Sequence, residues 1–136
     1  MNTDRLRIPI VLLVLALFSL ACGFSVSTAN ISSAKLTADD AGTRETTLFT
    51  SDQDFYCIVE LANAPSETKV KAVWTAVEVE GEDPNIVVDE SELILDNSED
   101  LATFSLTNDY LWPPGKYKVD LYLNDELDRT LEFQVQ

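Results

Sequence analysis

Histidine is missing from the 136-residue chain, and it holds only 2 Cys, 4 Gly and 1 Met. Without histidine the chain lacks the commonest general base and the commonest transition-metal ligand. Two cysteines cannot assemble a zinc site of Cys/His type. Basic residues are scarce as well: 9 Lys and Arg stand against 24 Asp and Glu, a formal charge of −15. An acidic surface of that size repels phosphate backbones, which excludes nucleic acid as a partner. It also disfavours anionic lipid headgroups, keeps a small domain soluble and attracts cations. No segment repeats another, and the length suits one domain rather than two.

Long apolar runs are also rare, with one exception. Residues 8–20 (IPIVLLVLALFSL) are uncharged and apolar, follow Arg5 and Arg7, and end in Ala21-Cys22-Gly23. A basic start, an apolar stretch of this length and a small residue before a cut are the parts of a secretory signal. Ser19-Leu20-Ala21-Cys22 resembles the lipobox of bacterial lipoprotein precursors, with Ser19 where that family more often has Leu. The resemblance implies removal of residues 1–21, with cleavage between Ala21 and Cys22, and acylation of the Cys22 thiol. The protein would then be held to a membrane by its lipid, outside the cytoplasm. An uncleaved N-terminal transmembrane anchor is the alternative, since residues 8–26 approach bilayer length. Both readings place the rest of the chain outside, because Arg5 and Arg7 favour the cytoplasmic side.

Residues 22–33 are rich in Ser, Thr and Ala and read as a flexible tether, leaving 34–136 as the domain. There the hydrophobic period is two. Phe55, Cys57, Val59 and Leu61 share one face. So do Val70, Ala72, Trp74 and Ala76, then Ala102, Phe104 and Leu106. Tyr117, Val119, Leu121 and Leu123 alternate with Lys116, Lys118, Asp120 and Tyr122, and Leu131, Phe133 and Val135 form the last set. This alternation argues for half-buried antiparallel strands. Weaker strands are expected at 34–38, 46–49, 86–88 and 92–95. Turn compositions separate the runs, and Asn124-Asp125 predicts a tight hairpin. The expectation is an all-β fold, a single antiparallel sandwich of seven or eight strands.

Cys57 in an early strand, Trp74 in the next and Tyr117 two residues before Val119 resemble the immunoglobulin-like sandwich, in which a strand-B Cys, a strand-C Trp and a strand-F Tyr-x-Cys hold these places. Val119 stands where the second Cys would be, so the inter-sheet disulfide of that family cannot form here. The run from Trp112 to Asn124 is similar to the last hairpin of bacterial extracytoplasmic immunoglobulin-like or fibronectin-like modules.

Few residues suggest chemistry. Cys57 on an inward face reads as a small buried apolar residue, with intermolecular pairing as the other option. Glu80, Glu82, Asp83, Asp89 and Glu90 concentrate oxygen ligands around one loop, the composition a Ca²⁺ site needs, although no EF-hand spacing is present. No other cofactor is expected. Tyr110 and Trp112 lie beside Pro113-Pro114, where they either present aromatic surface to a partner or, in the case of Trp112, cap the end of the sandwich. A domain of this kind lacks the cleft that paired carboxylates would need for catalysis. The leading expectation is a non-enzymatic binding module that engages an envelope protein or glycan through loops or a sheet face. The alternative is a calcium-dependent structural or adhesive envelope protein.

Overall fold

The computed structural model describes residues 28–96 and 99–136. The expected signal segment, the Ala21/Cys22 cleavage site and the first half of the tether lie outside the described residues. Eight strands form two sheets: β1 (Asn30–Thr37), β2 (Leu48–Phe49), β3 (Phe55–Ala62), β4 (Thr68–Val79), β5 (Ile86–Leu95), β6 (Leu101–Leu106), β7 (Gly115–Leu123) and β8 (Glu126–Val135). One sheet has the order β1-β3-β6, the other β2-β8-β7-β4-β5. The fifth strand stays beside β4 instead of joining the smaller sheet, as the added strands of variable-type sandwiches do.

The period-two faces of the sequence become the core. Phe55, Cys57, Val59 and Leu61 of β3 are buried against Val70, Ala72, Trp74 and Ala76 of β4 and Tyr117, Val119 and Leu121 of β7. One pairing departs from the antiparallel expectation: β2 runs parallel to β8 over Leu48 and Phe49, which brings Phe49 inward. Two boundaries also differ. The first strand starts at Asn30, four residues before the boundary drawn from composition, because Ile31 is buried opposite Leu61 and its carbonyl accepts a 2.7 Å hydrogen bond from Arg129 Nη2. An edge strand needs few inward side chains, and the Ser-rich composition around Ile31 hides this one. The weak strands expected at 86–88 and 92–95 are one continuous β5, whose polar centre Asp89-Glu90-Ser91 pairs with Trp74, Val73 and Ala72 of β4.

The turns follow their residues. Asn124 (φ 48°) and Asp125 (φ 70°) form the two-residue β7–β8 hairpin, the double positive φ of a type I′ turn. Asn124 also ties this tip to β4, accepting from the Lys69 backbone at 3.0 Å and donating back to the Lys69 carbonyl at 2.9 Å. Gly115 (φ 149°) opens β7 where a Cβ would lie 2.3 Å from the Glu78 carbonyl oxygen, so a close approach of two backbones requires glycine there.

Tyr117 closes the β6–β7 connection. Its hydroxyl donates to the Pro113 carbonyl at 2.6 Å, the corner contact of immunoglobulin-like sandwiches, and its ring stacks on Phe133 with centroids 5.5 Å apart. Burial and the nearby Glu82 carboxylate push its hydroxyl up to about 12 from an ordinary value of 10. A raised value of this kind supports stability below pH 10 and loses it as pH climbs towards 12. Tyr117→Phe is expected to cost about 1 kcal/mol at neutral pH, lowering Tm by roughly 4 °C. Thermal melts from neutral pH to pH 12 check this: the variant should lose less stability above pH 10 than wild type, and parallel curves would contradict the assignment.

Candidate functional site

The 107–114 loop joins β6 to β7 at one end of the sandwich. Its Trp112 backbone N–H donates to the Ser51 carbonyl at 2.8 Å, and its ring packs on Phe55 at 5.0 Å and Tyr117 at 6.3 Å. Trp112 is 6% exposed, so of the two readings drawn from the sequence it takes the capping one and does not offer surface to a partner. The reason is steric: fixing the indole beneath the loop caps the aromatic core and turns the preceding two side chains outward. Tyr110 is 82% exposed and Leu111 70%. Tyr110 is therefore the aromatic of the pair that faces solvent, and Leu111, which sequence reasoning passed over, is exposed beside it. Its signal was available, since Leu111 sits between two aromatics in a proline-rich loop.

Between this loop and β5 lies a groove of about 340 Å³. Ile86 and Val88 of β5 form one wall, Leu111, Trp112 and Pro113 the other, and Ala76 and Tyr117 the floor, with Glu82 and Asn108 among its polar lining. A larger hollow of about 490 Å³ near Val77, Lys116 and Glu132 carries more polar surface. The β5 groove is the more apolar of the two, and its β5 wall, Ile86 and Val88, is exposed. This β5 wall was also missed in the sequence, where a short apolar run does not reveal that its strand sits at an edge.

The acidic residues singled out for calcium do not converge. Glu80, Glu82 and Asp83 occupy the β4–β5 turn, while Asp89 and Glu90 are consecutive in β5 and point to opposite sheet faces. Among the described residues no group of three or more His, Cys, Asp or Glu is placed to hold a metal ion. Lys71 Nζ lies 3.7 Å from Glu90 and 4.7 Å from the centre of the Tyr122 ring, so part of this charge is met within the sheet.

Cys57 is fully buried in β3, and burial pushes its thiol up to about 12. A thiolate is the nucleophile, so this environment suppresses reactivity. Trp74 is equally buried, and its Nε1 has no hydrogen-bond partner among the described residues. Cys22 lies outside the described residues. No helix among the described residues is long and apolar enough to cross a membrane.

The two-sheet arrangement is similar to several solved structures. An immunoglobulin-like protein from Pseudomonas aeruginosa matches with a TM-score of 0.56 at 13% identity, over 83% of this chain and 100% of the other. A mutant β-glucosidase from Listeria innocua in complex with laminaribiose matches with a TM-score of 0.50 at 16% identity, over 83% of this chain and 17% of that one. A β-glucosidase involved in saponin metabolism, from intestinal bacteria, matches with a TM-score of 0.51 at 13% identity, over 84% and 17%. The chain thus spans less than a fifth of either glucosidase. No family model and no curated protein matches the sequence. These likenesses define the class by fold: the chain is an all-β, immunoglobulin-like sandwich.

Dispersed carboxylates predict indifference to calcium. Millimolar Ca²⁺ is expected to move Tm by less than about 1 °C, because only a ligand that prefers the folded state stabilises it. A rise of several degrees in calorimetry would show that the turn and β5 gather around the ion.

Proposed function

We propose that this protein is a lipid-anchored, extracytoplasmic binding module without enzymatic activity, which engages an envelope partner through the 107–114 loop and the adjoining β5 side of the larger sheet. The observation that carries the reading is the clustering of exposed apolar side chains. Leu111, Ile86 and Val88 are all exposed and line one apolar groove, and the exposed Tyr110 precedes Leu111 in the same loop. Contiguous apolar surface on a soluble domain marks an interaction site more often than a scattered residue does. The groove walls also bear no pair of groups suited to acid–base or nucleophilic work, Glu82 being the one ionisable carboxylate in its lining. The anchor rests on the lipobox-like Ser19-Leu20-Ala21-Cys22 and the apolar run before it. Two or more acyl chains on Cys22 suffice for stable attachment, where a single chain would be marginal.

Cross-linking in intact cells followed by affinity capture tests the reading. Wild-type chain should recover a defined partner, and Tyr110→Ser with Leu111→Ser should reduce that recovery by about tenfold, the loss of a small apolar anchor. Recovery at the wild-type level would contradict the assigned surface. In the same preparation, intact mass should show loss of residues 1–21 and added lipid. A full-length, unmodified mass would remove the lipid anchor.

A further inference from the structure

The two sheets have four edges, and three are poor platforms for another strand. β2 is two residues long, β1 is broken by a bulge between Ile31 and Ser33, and β6 spans six residues. Among the described strands β5, ten residues long, pairs with β4 alone, and it contains neither proline nor lysine, two of the residues that guard an edge. Its irregularity lies near Val88, and pairing with β4 is regular from Asp89 opposite Trp74 to Leu95 opposite Thr68.

The side chains along this edge have a definite order. Apolar Ile86, Val87 and Val88 lead, Asp89, Glu90 and Glu92 occupy the centre, and apolar Leu93 and Ile94 follow, with every one of these exposed. Residues opposite one another in an antiparallel ladder share a face, so Glu90 and Glu92 stand with Val73 and Lys71 on the outer face, where Lys71 at 3.7 Å offsets part of the Glu90 charge and two carboxylates share that one lysine. A strand added along β5 would set alternate residues beside these two carboxylates. A second copy of β5 would bring acid against acid, which destabilises pairing, and the chain's charge of −15 adds to the repulsion.

We propose that β5 is the docking edge for an extended segment of another protein, bearing two basic residues two positions apart with apolar residues on either side. Main-chain pairing supplies affinity, and alternate side chains supply specificity. The two basic groups meet Glu90 and Glu92, and an apolar side chain at one end enters the groove between Val88 and Leu111. This inference rests on the binding-module reading and names the chemistry of its partner.

The test uses the full chain in detergent and an acetylated peptide, Val-Thr-Val-Lys-Thr-Lys-Val-Thr-Val, as probe. Binding should protect β5 amides from hydrogen exchange. Methylating the backbone nitrogens along the pairing edge of the peptide, with both lysines kept, should weaken binding by about tenfold or more, since each main-chain donor lost leaves an acceptor unpaired. Glu90→Lys with Glu92→Lys should weaken it by a similar factor and favour the peptide with Glu in place of Lys. If that charge reversal lowers Tm, Glu90→Gln with Glu92→Gln replaces it, with a loss of about threefold expected. Equal binding of the methylated peptide, equal binding of the charge variants, absence of binding, or β5 protection that grows with protein concentration alone would each overturn the proposal. Should the peptide fail while partner recovery still depends on Tyr110 and Leu111, the edge proposal falls and the binding-module reading stands. If both fail, both fall.

Discussion

The contact of Phe55 with the larger sheet holds the rest of the structure in place. Phe55 comes from β3 of the smaller sheet and is completely buried. Its ring lies 4.8 Å from Phe49, 5.0 Å from Phe133 and 5.0 Å from Trp112, and Phe133 in turn meets Trp74 at 6.0 Å edge to face. Each such pair adds roughly 0.5–1.5 kcal/mol beyond the apolar area it removes from water. In this chain Val119 excludes the cross-sheet disulfide that the immunoglobulin resemblance would supply with Cys57. The aromatic cluster takes over the task of fixing one sheet on the other. It also dictates the loop geometry, since Trp112 must turn inward to complete it.

The second constraint is the unequal size of the two sheets. Three strands cannot cover five. β6 approaches both β4 and β5 of the larger sheet, yet β5 is left largely uncovered. Only Leu95 of β5 is buried, at the end where it pairs with Thr68. The same overhang opens the groove between Val88 and Leu111. The apolar surface, the groove and the free edge are therefore consequences of a single mismatch, which places a strand's backbone and a loop's side chains side by side.

The inward faces of β3, β4, β6, β7 and β8 are legible in the sequence because each lies between a core and solvent; Ile58, Thr75 and Asp120, at outward positions, are buried as well, and the alternation does not reveal that. The Asn124-Asp125 hairpin was equally plain, since few residue pairs accept two positive φ values. β1 was drawn too short because Ile31 is its one apolar residue among Asn30, Ser32 and Ser33. β5 was split in two because both of its faces meet solvent over much of its length, which removes the alternation that marks a strand. The site was half legible for the same reason. Tyr110 is legible as an aromatic in a turn, but the sequence leaves Trp112 between burial and display, and its hydrogen bond to Ser51 is a long-range contact that no local pattern reveals. The carboxylates of β5 read as a possible ion cage because sequence proximity does not reveal that neighbours in a strand face opposite ways.

The docking edge depends on β5 being paired on one side and, among the described residues, open on the other. Residue-resolved amide hydrogen exchange on the free full chain tests it most directly. Amides of β4 and β7 should exchange slowly throughout, while along residues 89–94 slow amides bonded to β4 should alternate with fast ones facing solvent. Uniformly slow exchange along β5 would mean that its outer edge is already occupied, by another segment or another copy, and would contradict the account.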